Sequence, residues 1–320
     1  MDKVDLGILK ELLVNNGIPP GTRVLRRSFR SMAKDLGVDQ GTIRSRIKKF
    51  QEQRVLRGWY LGSSPGLTGQ SVIYAWLKVE PESSKEDVIE KLLSEEDIER
   101  VCNYFGPKVS FVLLHKTMPN PDAALGRLAS LTGLGKSVHQ QAAIRVPPYE
   151  IKQTDAALID VLRRDAWMPD SVVAKELGVS TKTVKRRVTR LTEDGAIYML
   201  PIIDLKALQG IIPMELVVDY ASLESRAEVN GLILSRLQEN LIFSNYKGPY
   251  GYFALAVPNI SQVELITRWV KQLKGVRDVH SDALQDVVLN RKHYEGWRSS
   301  VKLEAEGEQV PGLGTRTASH

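Results

Sequence analysis

Two stretches of the chain carry the same alternation of apolar and polar positions. In the later stretch a short apolar helix is expected to end at Gly178, and Ser180 is a suitable N-cap for a second helix that begins at about Thr181. One apolar stripe recurs along that second helix at helical spacing: Val184, Val188 and Leu191. This order of helix, glycine, cap and helix predicts the second half of a helix-turn-helix.

The earlier stretch repeats the pattern closely. Residues 32–49 overlay residues 173–190 at a constant offset of 141 positions. Seven residues are identical: Ala33, Lys34, Leu36, Gly37, Val38, Thr42 and Arg46 recur as Ala174, Lys175, Leu177, Gly178, Val179, Thr183 and Arg187. Asp39 is the candidate N-cap in this copy. We therefore predict two helix-turn-helix units in one chain.

The polar face of each second helix is cationic. We predict that these faces contact DNA through Gln40, Thr42, Arg44, Ser45, Lys48 and Lys49 in the first unit, and through Ser180, Lys182, Thr183, Lys185, Arg186, Thr189 and Arg190 in the second. Arg44, Lys48, Lys185 and Arg186 are the leading candidates, because arginine reads guanine with two donors and lysine neutralises phosphate. A solvated helix face would have a similar composition, so the repetition is what favours DNA.

Positive charge is concentrated at these two units. The chain has 320 residues and a net charge of +6. From Arg23 to Arg57 eleven Lys and Arg stand against three acidic residues, and from Arg163 to Arg190 eight stand against three. These segments carry +8 and +5, so the remainder is −7. Such a distribution is expected if only the two units meet phosphate.

The composition is that of an ordinary globular protein, with 42% hydrophobic and 26% charged residues. Cys102 is the single cysteine and the sequence shows no Cys/His cluster, so we expect neither a disulfide nor a metal site. No apolar run is long enough to span a bilayer, and the N-terminus lacks a signal pattern. We expect a soluble cytoplasmic protein that binds no membrane.

Each unit is followed by a strand pattern and then by a longer block. The strand patterns, RVLRGWYLG and AIYMLPIID, suggest winged units in which a hairpin packs beside the recognition helix. The blocks alternate strands and helices in a β-α-β-β-α-β order, with last strands expected at Ala142 to Val146 and at Val287 to Leu289. Their central strands repeat at an offset of 142: Tyr104, Gly106, Pro107, Phe111 and Leu113 recur as Tyr246, Gly248, Pro249, Phe253 and Leu255.

The predicted fold class is therefore α+β, with two winged helix-turn-helix domains alternating with two ferredoxin-like β-α-β-β-α-β domains. The expected boundaries are 1–62 and 150–204 for the winged domains, 68–149 and 210–297 for the ferredoxin-like domains, and 298–320 for a disordered tail. An insertion of nine residues distinguishes the first unit and lies around GIPPGTRVLRR. That insertion is a solvated loop or an additional basic contact to DNA.

This order resembles the Lrp/AsnC family of prokaryotic transcription regulators, most clearly from Leu177 to Gly210 and more loosely from Leu36 to Gly62. The resemblance implies that the ferredoxin-like blocks pair through their sheets and that small effectors such as amino acids bind near the interface. The corresponding candidates are Gly106, Gly248, Tyr250 and Tyr252. Typical members carry one copy and dimerise, whereas here one chain could form an intramolecular pseudo-dimer in addition to a homodimer.

Three function classes follow from this pattern. The first is a sequence-specific regulator of double-stranded DNA, without a cofactor or catalytic residues, and therefore not an enzyme. The second is an enzyme on the same scaffold, because siroheme decarboxylases resemble Lrp/AsnC proteins and rely on His and Arg residues around a tetrapyrrole. His115, His139, His280 and His293 form no evident cluster in the sequence. The third is a metabolite-sensing scaffold whose helix-turn-helix units bind protein.

Overall fold

A computed structural model describes residues 1–14, 28–80, 83–116, 121–133, 138–144, 146–245, 250–290, 292–293 and 301. The first half comprises α1 (Lys3–Val14), α2 (Phe29–Leu36), α3 (Gln40–Glu52), β1 (Leu56–Ser63), β2 (Ser71–Lys78), α4 (Lys85–Ser94), β3 (Ile98–Tyr104), β4 (Lys108–His115), α5 (Pro121–Thr132) and β5 (Val138–Ile144). The second half comprises α6 (Gln153–Arg164), α7 (Asp170–Leu177), α8 (Thr181–Glu193), β6 (Ile197–Ile203), β7 (Ile212–Tyr220), α9 (Leu223–Leu237), β8 (Leu241–Asn245), β9 (Tyr250–Val257), α10 (Ile260–Lys271) and β10 (Val276–Leu289). The mixed α+β class is confirmed.

The two helix-turn-helix units form where the caps predict. Gly37 and Gly178 end α2 and α7 in the left-handed conformation, with φ of 65° and 64°. The Asp39 side chain accepts a hydrogen bond from the amide of Thr42, and the Ser180 hydroxyl accepts one from the amide of Thr183. The apolar stripes of α3 and α8 face inward, with Ile43, Ile47 and Phe50 buried in the first and Val184 and Leu191 in the second.

The strands that follow the recognition helices do not form separate hairpins as the wing pattern suggested. Instead β1 pairs antiparallel with β6, so one two-stranded ribbon joins the two units. The register places Gly62 opposite Tyr198, and a Cβ at Gly62 would lie 2.2 Å from the tyrosine ring. Glycine is required there because the half-buried Tyr198 ring lies directly over the backbone. A strand with no partner in its own unit therefore finds one in the other.

The ribbon also exchanges core residues between the units. Leu61 of β1 packs in the core formed by α6, α7 and α8. Ile203 of β6 packs against the core formed by α1, α2 and α3. Each strand thus buries one end in the opposite unit, so that separating the units would expose apolar surface from both cores. The apolar sequence of β6 is explained by this arrangement.

The remaining strands form one antiparallel sheet of eight, in the order β5-β2-β4-β3-β10-β7-β9-β8. Each set of four has the strand order of a ferredoxin-like fold. In the first set, buried residues of β2, β3 and β4 pack against α4 and α5 on one face of the sheet. In the second set, β7, β9 and β10 pack in the same way against α9 and α10.

The two sets join edge to edge through β3 and β10. The last strand was expected to be short, but β10 extends over 14 residues. From Val276 to Ala283 it pairs with β7, and from Leu284 to Leu289 it pairs with β3. The pairing that the family resemblance implies between ferredoxin-like blocks is therefore present within a single chain, as a continuous sheet.

A buried polar cluster lies at this junction. The carboxylate of Glu215 on β7 accepts hydrogen bonds from the hydroxyls of Tyr104 on β3 and Tyr252 on β9, the latter at 2.5 Å. Beside them, Lys108 forms a 2.5 Å ion pair with Asp282 on β10, and its ammonium lies 4.7 Å from the centre of the Tyr104 ring. Burial raises the pKa of the Glu215 carboxyl, and the two tyrosine hydrogen bonds oppose this effect.

The raised pKa of Glu215 predicts a specific dependence of stability on pH. A carboxyl whose pKa is higher in the folded state stabilises the fold below its unfolded value, about pH 4.5, and this contribution is lost as the pH rises through the folded value. We expect Glu215→Gln to flatten the decrease in unfolding free energy over that interval, measured by urea denaturation between pH 4.5 and 7. If the free energy of unfolding changed with pH in the same way for the wild type and the variant, this account would be contradicted.

Several expectations lie outside the described residues or remain predictions. The basic insertion around residues 17–27, Gly248 and the tail from residue 302 fall outside the described ranges. The duplication of the sequence and the division into five domains remain predictions. None of the described helices combines the length and the apolar character that crossing a membrane would need.

Candidate nucleic-acid interface

The five cations of α8 fall into two groups. Arg187 donates from one guanidinium nitrogen to the hydroxyl of Thr154 and to a carboxylate oxygen of Asp155, both at 2.6 Å. Arg190 donates to the other oxygen of Asp155. The Asp155 side chain is 0% exposed and lies in the first turn of α6. These two arginines therefore fix α8 against α6, and the Asp155 carboxylate offsets one of their two positive charges.

The other three cations of α8 point away from the protein. Lys182, Lys185 and Arg186 are exposed, and within the described part of the chain no hydrogen bond or ion pair engages their side chains. Thr189 is exposed one turn further along the helix. The helix thus presents a polar, positively charged surface whose donors are free to meet another molecule.

The cations of α3 in the first unit also fall into an internally paired group and an exposed group. Arg46 forms ion pairs with Asp5 and Asp2 on and before α1, at 3.0 and 2.9 Å. Arg46 and Arg187 occupy equivalent positions in the aligned repeats, and each binds an aspartate in the first helix of its unit. The same internal anchor therefore orients both recognition helices.

The outward surface of α3 is polar and less strongly charged. Gln40, Arg44, Ser45 and Lys49 are exposed, and no described residue bonds to their side chains. Lys48 pairs with Glu52 at 3.5 Å, and both side chains remain more than 60% exposed. An exposed pair of this kind is weak and can rearrange when a ligand arrives.

Some predicted contacts have internal roles. Thr42 and Thr183 belong to the caps of α3 and α8, where the Thr42 hydroxyl bonds to Asp39 and the Thr183 hydroxyl to Ser180. The hydrogen bonds from Thr42 lower the pKa of the Asp39 carboxyl. Arg190 has such a role too, because its guanidinium bonds to the buried Asp155, and its contact with DNA stays a prediction. Its position on the helix therefore did not reveal its partner.

The residues that sequence reasoning missed are the anchors, Asp5 and Asp155. Both are buried charged residues in helices that otherwise have an apolar inner face. A signal was present, because each lies at the start of a predicted helix and each unit contains an arginine at the matching position. Their pairing, however, joins residues that are 41 and 32 positions apart.

Of the four effector candidates, Gly248 lies outside the described residues, and the other three are spread over both halves of the sheet. Gly106, with φ of 88°, lies in the turn between β3 and β4, and its carbonyl accepts a 2.6 Å hydrogen bond from Lys85. Tyr250 is exposed at the start of β9, and Tyr252 bonds to Glu215 at the junction. The glycine and the tyrosines therefore lie in different halves of the sheet.

A second concave region lies beside α4 and α5. It is lined by Glu95, Glu96, Asp97, His115 and Arg127. Arg127 pairs with Glu95 and lies 3.7 Å from Asp97. Even with this arginine, three carboxylates leave the region with a negative balance, so it favours cations over anions. Within the described residues, no cluster of His, Cys, Asp and Glu has the geometry of a metal site.

A comparison with known protein families supports the prediction of a helix-turn-helix in the second unit. Residues 153–192 match the family model of the AsnC-type helix-turn-helix domain, which covers α6, α7 and most of α8. The HTH-type transcriptional regulator Ptr1 of Methanocaldococcus jannaschii is 30% identical over 99 residues, a match that covers 31% of this chain and 60% of Ptr1. The chain is therefore similar to the AsnC-type helix-turn-helix family in its second unit. It spans less than two thirds of the length of this curated relative.

Two solved structures match this chain over almost its whole length. The siroheme decarboxylase NirDL has a TM-score of 0.53 at 14% identity, covering 93% of this chain and 97% of the decarboxylase. NirDL in complex with an iron-uroporphyrin III analogue has a TM-score of 0.52. At this identity the likeness concerns the fold. These two matches contradict the prediction that the chain is not an enzyme, because NirDL is an enzyme by its name.

Proposed function

We propose that this chain is a transcription regulator that binds double-stranded DNA in a sequence-specific manner through α8 and α3. The observation that carries the proposal is the division of the α8 cations. Two arginines are bound to Asp155 and orient the helix, whereas Lys182, Lys185 and Arg186 are exposed and have no ion-pair partner among the described residues. A helix that served only as solvated surface would not require such a buried anchor to fix its rotation.

The proposed contacts follow from the geometry of the side chains. The Arg44 and Arg186 forks can each meet the O6 and N7 atoms of a guanine in the major groove. Lys182, Lys185 and Lys49 are better suited to phosphate, because a compact ammonium acts as a point charge. Gln40, Ser45 and Thr189 provide hydrogen-bonding groups on the same surfaces. The two faces differ in sequence, so the two half-sites need not be palindromic.

The β1–β6 ribbon gives this arrangement a physical basis. Because the strands pair and exchange core residues, the ribbon connects the two recognition helices within one chain. In a helix-turn-helix dimer, half-sites one helical turn apart, about 34 Å, are read together. We propose that one chain acts as an intramolecular pseudo-dimer of this kind, and that a homodimer would bring further half-sites.

A salt titration tests whether the exposed cations meet phosphate. Five exposed cations, Arg44, Lys49, Lys182, Lys185 and Arg186, have no described partner. If all five neutralise phosphates, a plot of log affinity against log salt should have a slope of about −4 to −5. Fluorescence anisotropy with genomic fragments between 50 and 200 mM KCl measures this slope. Affinity that does not change with salt would favour a protein-binding scaffold instead.

The second candidate is an enzyme that acts on a tetrapyrrole, as NirDL does by its name. The match over 93% of the chain favours it. Against it, the region around His115 is lined by three carboxylates, which would repel the carboxylates of a tetrapyrrole. His139 stacks on Trp76, and His280 pairs with Asp278, so these rings lie elsewhere on the sheet. This candidate is tested by titrating the protein with siroheme and monitoring the siroheme absorption band, which would change if siroheme binds.

A further inference from the structure

A groove of about 450 Å³ separates the first recognition helix from the second helix-turn-helix unit. Three aromatic side chains in its lining form one cluster. Trp59 of β1 and Trp167, which follows α6, meet edge to face at 5.2 Å between ring centres. Phe29 of α2 lies 6.3 Å from Trp167 at a tilt of 43°. The volume falls within the range of small-molecule sites, and planar rings stack favourably on such a cluster.

The rim of the groove is cationic. Arg44 and Lys48 reach it from α3, and Arg164 reaches it from the end of α6. Asp165 is the acidic residue of the lining, and its carboxylate already accepts a 2.8 Å hydrogen bond from the amide of Trp167. Arg164 is paired with Glu176, and Lys48 with Glu52. Arg44 has no ion-pair partner among the described residues, so its charge is available to a ligand.

Trp167 adds a second, independent observation. Its indole N–H is buried, and it finds no hydrogen-bond acceptor among the described residues. Buried donors of this kind are nearly always paired in native proteins. An acceptor on a ligand would reach this donor if the side chains around the indole moved, and it would then recover a hydrogen bond that the described residues do not make.

We propose that this groove binds a planar aromatic carboxylate. The ring would stack on the exposed surface of the cluster formed by Phe29, Trp59 and Trp167, and the carboxylate would pair with Arg44 and accept from the Trp167 N–H. A neutral aromatic compound would leave Arg44 uncompensated, and a non-aromatic anion would leave the cluster unused. Metal ions are disfavoured by the three cations of the rim.

The groove is also placed to regulate DNA binding, an effect that rests on the function proposed above. Arg44 belongs both to the groove and to the outward surface of α3. A ligand carboxylate bound to Arg44 would prevent that side chain from contacting a DNA base or phosphate. The ligand would therefore weaken DNA binding, and DNA would weaken ligand binding by the same factor.

Isothermal titration calorimetry of the full chain with 2-naphthoate tests the site without DNA. The neutral 2-naphthamide is the matched control ligand. We expect one saturable site per chain for the carboxylate and binding at least about tenfold weaker for the amide, because a charge-assisted contact is lost. Arg44→Gln should weaken naphthoate binding by a similar factor, and Trp167→Phe should weaken it while keeping a ring in the cluster. Arg57→Gln and Trp269→Phe remove the same groups outside the groove and should leave binding unchanged.

The results of these titrations test the ligand site and the proposed function separately. Absence of saturable heat with naphthoate overturns the proposal, as does equal binding of the amide or undiminished binding by Arg44→Gln. A repeat of the titration with bound DNA then tests regulation, where a reduced naphthoate affinity is expected. If the chain binds no DNA, the proposed function fails while the calorimetry still decides the groove.

Discussion

Replacing Lys185 and Arg186 together by alanine is expected to weaken specific DNA binding about a hundredfold. One base-reading arginine contributes about 1 to 3 kcal/mol, and 1.4 kcal/mol corresponds to a factor of ten. A phosphate-binding lysine adds a smaller, sequence-independent term. Both side chains are exposed and without described partners, so the fold should not change. Fluorescence anisotropy with a selected DNA site at fixed salt measures the loss.

The control for this experiment keeps the change in net charge constant. Arg268→Ala with Lys271→Ala removes two cations from α10, where both make only surface ion pairs. This double variant should bind DNA within about twofold of the wild type, since those residues lie outside the proposed interface. Equal losses in the two double variants would mean that net charge, and not the surface of α8, governs binding.

The second large effect is expected from Asp155→Ala. The substitution removes the buried carboxylate that accepts hydrogen bonds from Arg187 and Arg190. Breaking a buried ion pair on one side costs about 3 to 5 kcal/mol, and the partial exposure of both arginines should reduce this to about 2 to 3 kcal/mol. The free energy of unfolding should fall by that amount in urea denaturation. DNA binding should also weaken, because α8 loses the contact that sets its rotation.

Glu193→Ala provides the comparison for this loss. Glu193 is exposed at the end of α8, and its removal changes the net charge in the same direction. Surface substitutions of this kind usually change stability by less than about 0.5 kcal/mol. If Asp155→Ala were as stable as Glu193→Ala, the buried anchor would have no structural role. The distinction between α8 cations that bind Asp155 and α8 cations that are exposed would then not support the proposed function.

Local features of the fold could be predicted because their causes are local. Gly178 ends α7 because glycine adopts a left-handed conformation without strain, and Ser180 caps α8 because its hydroxyl reaches the Thr183 amide. The apolar stripe of α8 identifies its buried face for the same reason: helical periodicity is a property of the chain itself. The repeated strand and helix order also predicts both ferredoxin-like sets.

The tertiary pairings could not be predicted from these local patterns. A strand signal such as that of β1 shows that the segment is extended, but its partner is chosen by the whole fold. For that reason the wings were expected to form hairpins, whereas β1 pairs with β6. The length of β10 was underestimated in the same way, because its first half is polar on one face and shows little strand character by itself.

The candidate site was predicted at the level of helix faces and not of individual partners. Helical spacing correctly separated the apolar stripe of α8 from its polar face. It could not separate Arg186, which has no described partner, from Arg190, which binds a carboxylate on another helix. Distinguishing them requires the position of Asp155, and that position depends on how α6 packs against α8.

The central claim is that both recognition helices of one chain read DNA. Hydroxyl-radical footprinting on a selected site, at concentrations where a single chain is bound, tests it most directly. We expect two protected patches about 10 base pairs apart on one face of the duplex, and Lys185→Ala with Arg186→Ala should erase one of them. A single patch that disappears completely in this variant would show that α3 does not read DNA and would contradict the account.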